Sequence, residues 1–194
     1  MIGRRLQMLA LATCLLVAAA VAYAGPDGHT ASTGSPYSGM EAREIKTLSD
    51  DDVRQLLAGE GWGLALAAEL NGVPGPLHLL EAVERGEMHL TDDQLARIEA
   101  LRAGMLSRAV PLGELLVEQE RELNLRLAAG DLDEQALLEL LQAIAETTAQ
   151  LRYEHLVTHL RTAAVLSPHQ IARYNQIRGY LAGDGAHSDH HHGH

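Results

Sequence analysis

From Thr91 to Gly130 the apolar residues fall at Leu95, Ile98, Leu101, Met105, Ala109, Leu112, Leu116, Leu123 and Leu127. Steps of three and four, with one of seven between Leu116 and Leu123, trace one face of an α-helix, so this stretch predicts a single long helix. Pro111 lies inside the stripe, where it removes one backbone hydrogen bond and is expected to kink or split the helix. A second stripe, Leu137, Leu141, Ile144, Thr148 and Leu151, predicts another long helix ending near Thr162. Between them, Ala129-Gly130 supplies a glycine for a left-handed helix end. Asp131 or Asp133 can cap the next helix, with Glu134 at its third position if the cap is Asp131. So short a connection makes the two helices antiparallel neighbours.

The flanking pattern is broken into shorter pieces. Ser49 followed by Asp52 resembles a capping box and predicts a helix from near Asp50 to about Leu57. Gly59-Glu60-Gly61 interrupts it, and Leu64 to Leu70 fits a further short helix. The turn-rich run Asn71-Gly72-Val73-Pro74-Gly75-Pro76 must break that one. Leu77 to Glu84 reads as one more short helix, ended near Gly86. A last helix opens at Ser167, carries Ile171, Tyr174 and Ile177 on one side, and stops between Gly179 and Gly183. The expected fold is all-α: a long antiparallel helical hairpin with short flanking helices, over residues 46–182. A two-helix hairpin buries one stripe and makes a thin core, so a twofold homodimer is expected. A closed monomeric four-helix bundle is the alternative.

Two segments, Leu90-Thr91-Asp92-Asp93-Gln94 and Leu166-Ser167-Pro168-His169-Gln170, repeat one design. The hydroxyl of Thr91 or Ser167 can accept from the amide three residues on, while Gln94 or Gln170 reaches back to the cap's own amide. Leu90 and Leu166 precede the caps and, with Leu95 and Ile171, complete hydrophobic staples. Pro168 at the first helical position loses no helical bond.

The ends have a different character. Arg4 and Arg5 precede a run, Leu6 to Val21, that is apolar apart from Gln7 and Thr13, and Ala22-Tyr23-Ala24 offers a cleavage site. Residues 1–24 are therefore expected to be a cleaved export signal and not a membrane anchor, placing the protein in the periplasm with no stable membrane insertion. Cys14 is the only cysteine. Thr13 before it suits a lipidation site poorly, and cleavage after Ala24 leaves a chain without a thiol or thiolate metal site. Residues 25–45 begin with Gly, Ser, Thr and Pro in abundance and are expected to form a flexible linker. Loss of Arg4 and Arg5 takes the formal charge from −11 to −13, with one lysine, Lys46. Such a chain lacks the cationic face that nucleic acid requires and suits cations instead.

Histidine is the residue type with chemistry to offer. His155 and His159 stand four apart and project near the directions of Leu137 and Leu141, so both imidazoles continue the apolar stripe. Such a pair can share one metal ion, with His78, His89 or a second subunit completing the site. A hydrogen-bonded structural pair is the alternative. Glu154 points about 100° from His155 and is a poor partner on the same ion. Residues 183–194 are expected to be a disordered tail with ligands His187, Asp189, His190, His191, His192 and His194. Dense neutral imidazoles suit zinc, nickel or copper, and the interruptions at Ser188, Asp189 and Gly193 differ from an unbroken purification tag. No cofactor is required by any motif. The chain carries no glycine-rich phosphate loop after a strand and no serine in a nucleophile elbow, so an enzyme is not expected. The acidic runs at Asp50–Asp52 and Asp92-Asp93 suit helix N-termini.

From Leu90 to about Tyr180 the order of box, long helix, Gly130-Asp131-Leu132-Asp133 turn, long helix and box resembles the Spy/CpxP family of exported bacterial proteins. That group also takes in zinc-resistance-associated periplasmic proteins and, more distantly, CnrX-type nickel and cobalt sensors. The first box matches the Leu-Thr-x-x-Gln pattern fully, and the second carries Ser167 for threonine. The resemblance implies a hooked hairpin that dimerises into a cradle and acts without ATP. It implies three roles: shielding unfolded periplasmic proteins, binding metal, or restraining a membrane-bound stress sensor. Spy-like chaperones carry a basic concave face, whereas this chain is acidic. Arg97, Arg102, Arg108, Arg121, Arg126, Arg152 and Arg161 are the residues that could line a local basic patch.

Overall fold

The computed structural model describes residues 35–180. The expected export signal (1–24), the first part of the expected linker, and the histidine tail with His187, Asp189, His190, His191, His192 and His194 lie outside the described residues. Among the described residues the chain is helical with no strand. A single 3₁₀ turn, Met40–Ala42, precedes six helices: α1 (Asp50–Leu57), α2 (Leu66–Glu69), α3 (Pro76–Glu84), α4 (Asp92–Ala129), α5 (Glu134–Val165) and α6 (Pro168–Ile177).

Local chemistry accounts for the boundaries. Ser49 caps α1 by accepting from the Asp52 amide at 3.1 Å, and Asp52 returns the bond to the Ser49 amide at 2.8 Å. That reciprocal pair satisfies two otherwise orphaned donors. Asp133, and not Asp131, caps α5, accepting from Ala136 at 2.8 Å. Gly130 ends α4 at φ 69°, and its amide donates to Arg126 and Leu127. Only a residue without a Cβ adopts that geometry cheaply. The helix α5 runs to Val165, a little past Thr162.

Pro111 does not interrupt α4. Ala109, Gly113, Leu116 and Val117 around it are buried, and the packing of α1 on this stretch outweighs the missing bond. The contact is close: a Cβ on Gly113 would collide with the backbone carbonyl of Leu56.

The two Leu-hydroxyl-x-x-Gln boxes meet. Thr91 and Gln94 close one capping box, and Ser167 and Gln170 the other. The two carboxamides then pair: Gln94 Nε2 donates to Gln170 Oε1 and Gln170 Nε2 donates to Gln94 Oε1, both at 2.9 Å. Gln94 Nε2 also donates to the Val165 carbonyl at 3.0 Å, and Gln170 Nε2 to the His89 carbonyl at 3.1 Å. Each carboxamide thereby uses both N–H groups and accepts twice on its oxygen. Beneath them Leu166, Leu79, Ala82, Met88, Ile98 and Tyr174 form one core cluster, with Leu90 and Ile171 packed on it.

A second cluster joins Ile45 and Leu48 to Leu56 of α1, Ala109, Leu116 and Val117 of α4, and Leu151 of α5. Ile45, the last residue of the expected linker, is thus part of the core. The helices α4 and α5 pack on each other. Contacts run from Gln94 with Val165 to Arg108 Nε with Glu154 at 2.6 Å. The apolar stripes are buried only in part. Leu127 and Leu141, expected to face the core, are 58% and 44% exposed, and Thr147 is buried where Thr148 is half-buried.

Candidate functional site

A cavity of about 440 Å³ lies where the segment 58–66 and the start of α3 face α4 and α5. Its wall is built in a definite order. Gly59, Trp62 and Gly63 all take positive φ, at 66°, 42° and 71°. Trp62 is the only non-glycine residue among those described to do so, a strained conformation that the surroundings must enforce. The anchor is its indole: Trp62 Nε1 donates to Asp52 Oδ1 at 2.8 Å. The Asp52 carboxyl is held below its ordinary range by the Ser49 hydroxyl and then by this indole. The capping box of α1 therefore also places the aromatic wall.

On the opposite side α5 presents His155 and His159, both buried, as the apolar stripe predicts. His159 Nδ1 lies 2.8 Å from the Val73 carbonyl. A carbonyl only accepts, so Nδ1 carries the proton and, in the neutral ring, Nε2 is the bare lone pair. The ring lies against Gly75, where a Cβ would come within 2.5 Å of its Cε1 and Nε2. The turn Asn71–Pro76 thus has a second task besides ending α2: its carbonyl orients His159 and its missing side chain admits the ring. His155 is only 3% exposed, and its Nε2 has no hydrogen-bond partner. Burial, and then the neighbouring His159, push its pKa below the ordinary value against a smaller opposing pull from Glu154.

Met105 and Leu106 of α4 and the side chains of Arg102 and His78 complete the lining. His78 Nδ1 lies 3.0 Å from Glu81 and is partly exposed. His89 is exposed and does not line the cavity. Glu154 is occupied by Arg108 and faces elsewhere, as its helical angle predicts. Among the described residues no three His, Cys, Asp or Glu side chains come together as a metal site. The lining offers no hydroxyl, thiol or amine nucleophile. Its donors are imidazole nitrogens, a thioether, carboxylates and a guanidinium.

Glu69 borders the same cavity and had no place in the reading of the sequence. Its buried carboxylate accepts from Tyr174 Oη at 2.9 Å, Arg178 Nε at 2.7 Å and Tyr180 Oη at 3.0 Å. Arg178 also lies 5.7 Å from the Tyr180 ring centre. Burial, and then the Glu69 charge, push the Tyr174 phenol well above its ordinary value. This network ties α2 to the C-terminal end of α6 and leaves Glu69 fully engaged. The signal for it was a lone acid in the apolar run Leu64–Leu70 and a tyrosine on the apolar side of α6. Met105 was legible only as a core residue of the stripe.

Of the arginines that could line a basic patch, Arg97, Arg108, Arg121 and Arg126 pair with Asp93, with Glu154, with Glu118 and Glu44, and with Glu122 and Asp131, respectively. No helix of the described residues is long and apolar enough to cross a membrane. No family model, no curated protein and no solved structure matches the chain.

Proposed function

We propose that this chain is an exported, non-enzymatic protein of metal and envelope stress, with Spy/CpxP-like capacity to shield unfolded clients without ATP. The observation that carries this reading is the reciprocal pairing of Gln94 and Gln170. It gives the two boxes a joint purpose: they lock the start of α4 to the junction of α5 and α6. That arrangement favours α4 and α5 as an antiparallel hairpin with its ends clasped. Of residues 118–146, none is buried, and Leu125, Leu127, Leu138 and Leu141 are exposed there. Bare leucines on two long helices favour a homodimer or the capture of apolar client segments.

Divalent zinc, nickel or copper binds mainly through His187, Asp189, His190, His191, His192 and His194, with His155 and His159 as an internal pair. In the test, the exported chain suppresses aggregation of a chemically unfolded client without ATP, and zinc calorimetry shows binding that falls sharply on deletion of Gly185–His194. Clients aggregating at an unchanged rate would remove the chaperone half, and absence of heat would remove the metal half. A second reading, a sensor module acting on a membrane-bound kinase or anti-sigma factor, is favoured by the burial of His155 and His159 where several segments meet. A metal-dependent pull-down of such a partner from envelope extract tests it, and recovery independent of metal would count against it.

A further inference from the structure

We propose that Met105, His155 and His159 form a site for monovalent copper in the cavity between α3, α4 and α5. The inference rests on reading the histidine pair as metal ligands; it adds the third donor and puts a monovalent ion at this pair in place of the divalent one.

Three observations converge. First, His155 Nε2 is buried and has no hydrogen-bond partner, while its ring borders the cavity. Leaving a buried acceptor or donor unsatisfied is unfavourable, and a ligand in the cavity would offset that. Second, His159 is set up as ligating imidazoles are. Its Nδ1–H donates to the Val73 carbonyl, so Nε2 is the nitrogen available to a metal. Third, Met105 stands at the level of this pair. One turn along α4, Arg108 contacts Glu154, the neighbour of His155, and Met105 lines the same cavity as both histidines. Thioether sulfur is a soft donor that selects monovalent copper, and imidazole tolerates it.

The other ions fit less well. A structural zinc site calls for a tetrahedral set of nitrogen, sulfur or carboxylate ligands. Glu69, the nearest buried carboxylate on the cavity, is taken up by Tyr174, Arg178 and Tyr180. Arg102 also lines the cavity, and its positive charge makes a singly charged ion less costly to place there than a doubly charged one. The Trp62 ring adds attraction for a cation.

Trp62 is the only tryptophan in the chain and lines this cavity, so its emission reports on it. The exported chain is titrated anaerobically with copper held monovalent by ascorbate, against a chromogenic chelator, while tryptophan emission is followed. Saturable quenching is expected. Met105→Leu, which conserves volume, is expected to weaken it at least tenfold and to leave zinc calorimetry at the tail unchanged. His155→Gln is expected to weaken it similarly. X-ray absorption of the copper-loaded chain is expected to show sulfur scattering that Met105→Leu removes. Unquenched emission, equal affinity in Met105→Leu with a native melting temperature, or nitrogen-only scattering would overturn the site. Failure of the tail or of client protection would overturn the preceding proposal and leave this one standing.

Discussion

Between Asp92 and Val117, α4 buries Ile98, Met105, Ala109, Gly113, Leu116 and Val117, whereas from 118 to 146 neither long helix buries a residue. The stripe skips one position at that boundary, from Leu116 to Leu123, and resumes on the far side with Leu127. The neighbours change: α1 and α3 lie on α4 and α6 lies on α3, whereas past Val117 the described chain adds only the polar contacts of residues 44–47 with Glu120, Arg121 and Asn124. A stripe is a capacity for burial, and it stabilises only where something arrives to cover it. The covered end has also acquired polar chemistry, in the Gln94–Gln170 clasp, the Glu69 network and the histidine pair. Such groups are tolerated inside mostly when satisfied; His155 Nε2, Thr162 Oγ1 and Asn175 Oδ1 are exceptions there, and of these only His155 borders the cavity.

The largest effect that would sharpen this contrast is at Gly113. Gly113→Val drives a side chain into the Leu56 backbone and is expected to cost about 3 kcal/mol, read as a lower urea midpoint. A midpoint within about 0.5 kcal/mol of the parent would mean that α1 is loosely held. Next is the clasp. Gln94→Ala leaves the Thr91 amide and the Gln170 carboxamide short of partners and is expected to cost about 1–2 kcal/mol. The Gln94→Ala, Gln170→Ala pair should cost less than the sum of the singles, because both remove one shared contact. Additive losses would break the idea of a joint lock.

Alkaline pH separates the halves without mutation. The Tyr174 phenol is raised above its unfolded value of 10.0 by burial and then by Glu69. Its contribution is therefore complete below pH 10 and is lost as pH rises beyond it. Tyr174→Phe should flatten stability above pH 10, and an unchanged slope would exclude Tyr174 as the cause. The smallest expected effect is at the bare end. Leu127→Glu with Leu141→Glu should change intrinsic helix stability by about 0.5 kcal/mol or less per site, yet shift the mass seen by light scattering from dimer toward monomer. A large loss of stability in a chain that was monomeric beforehand would show that these leucines are covered within one chain.

The legible parts of the fold were those whose causes are local. The capping boxes at Ser49, Thr91 and Ser167 each hold with the predicted partner three residues on. The α1 bounds and the turn at Gly130 follow from the same short-range chemistry. That α4 runs unbroken through Pro111 was not readable, because propensity knows nothing of α1 lying against that stretch. Leu127 and Leu141 were assigned to a core that their own chain does not supply. The burial of His155 and His159 was readable from helical angle, but the carbonyl of Val73 and the space at Gly75 were not, since they lie more than eighty residues away in sequence.

By itself the sequence determined where helices begin and end, which face of each is apolar, and that two similar glutamine boxes open helices. These follow from spacing, caps and backbone sterics within a few residues. Only the tertiary structure decided that the boxes touch, that Glu69 is enclosed by Tyr174, Arg178 and Tyr180, and that Met105, His155 and His159 line one cavity. Those outcomes depend on which elements meet, and that is set by packing between residues far apart along the chain.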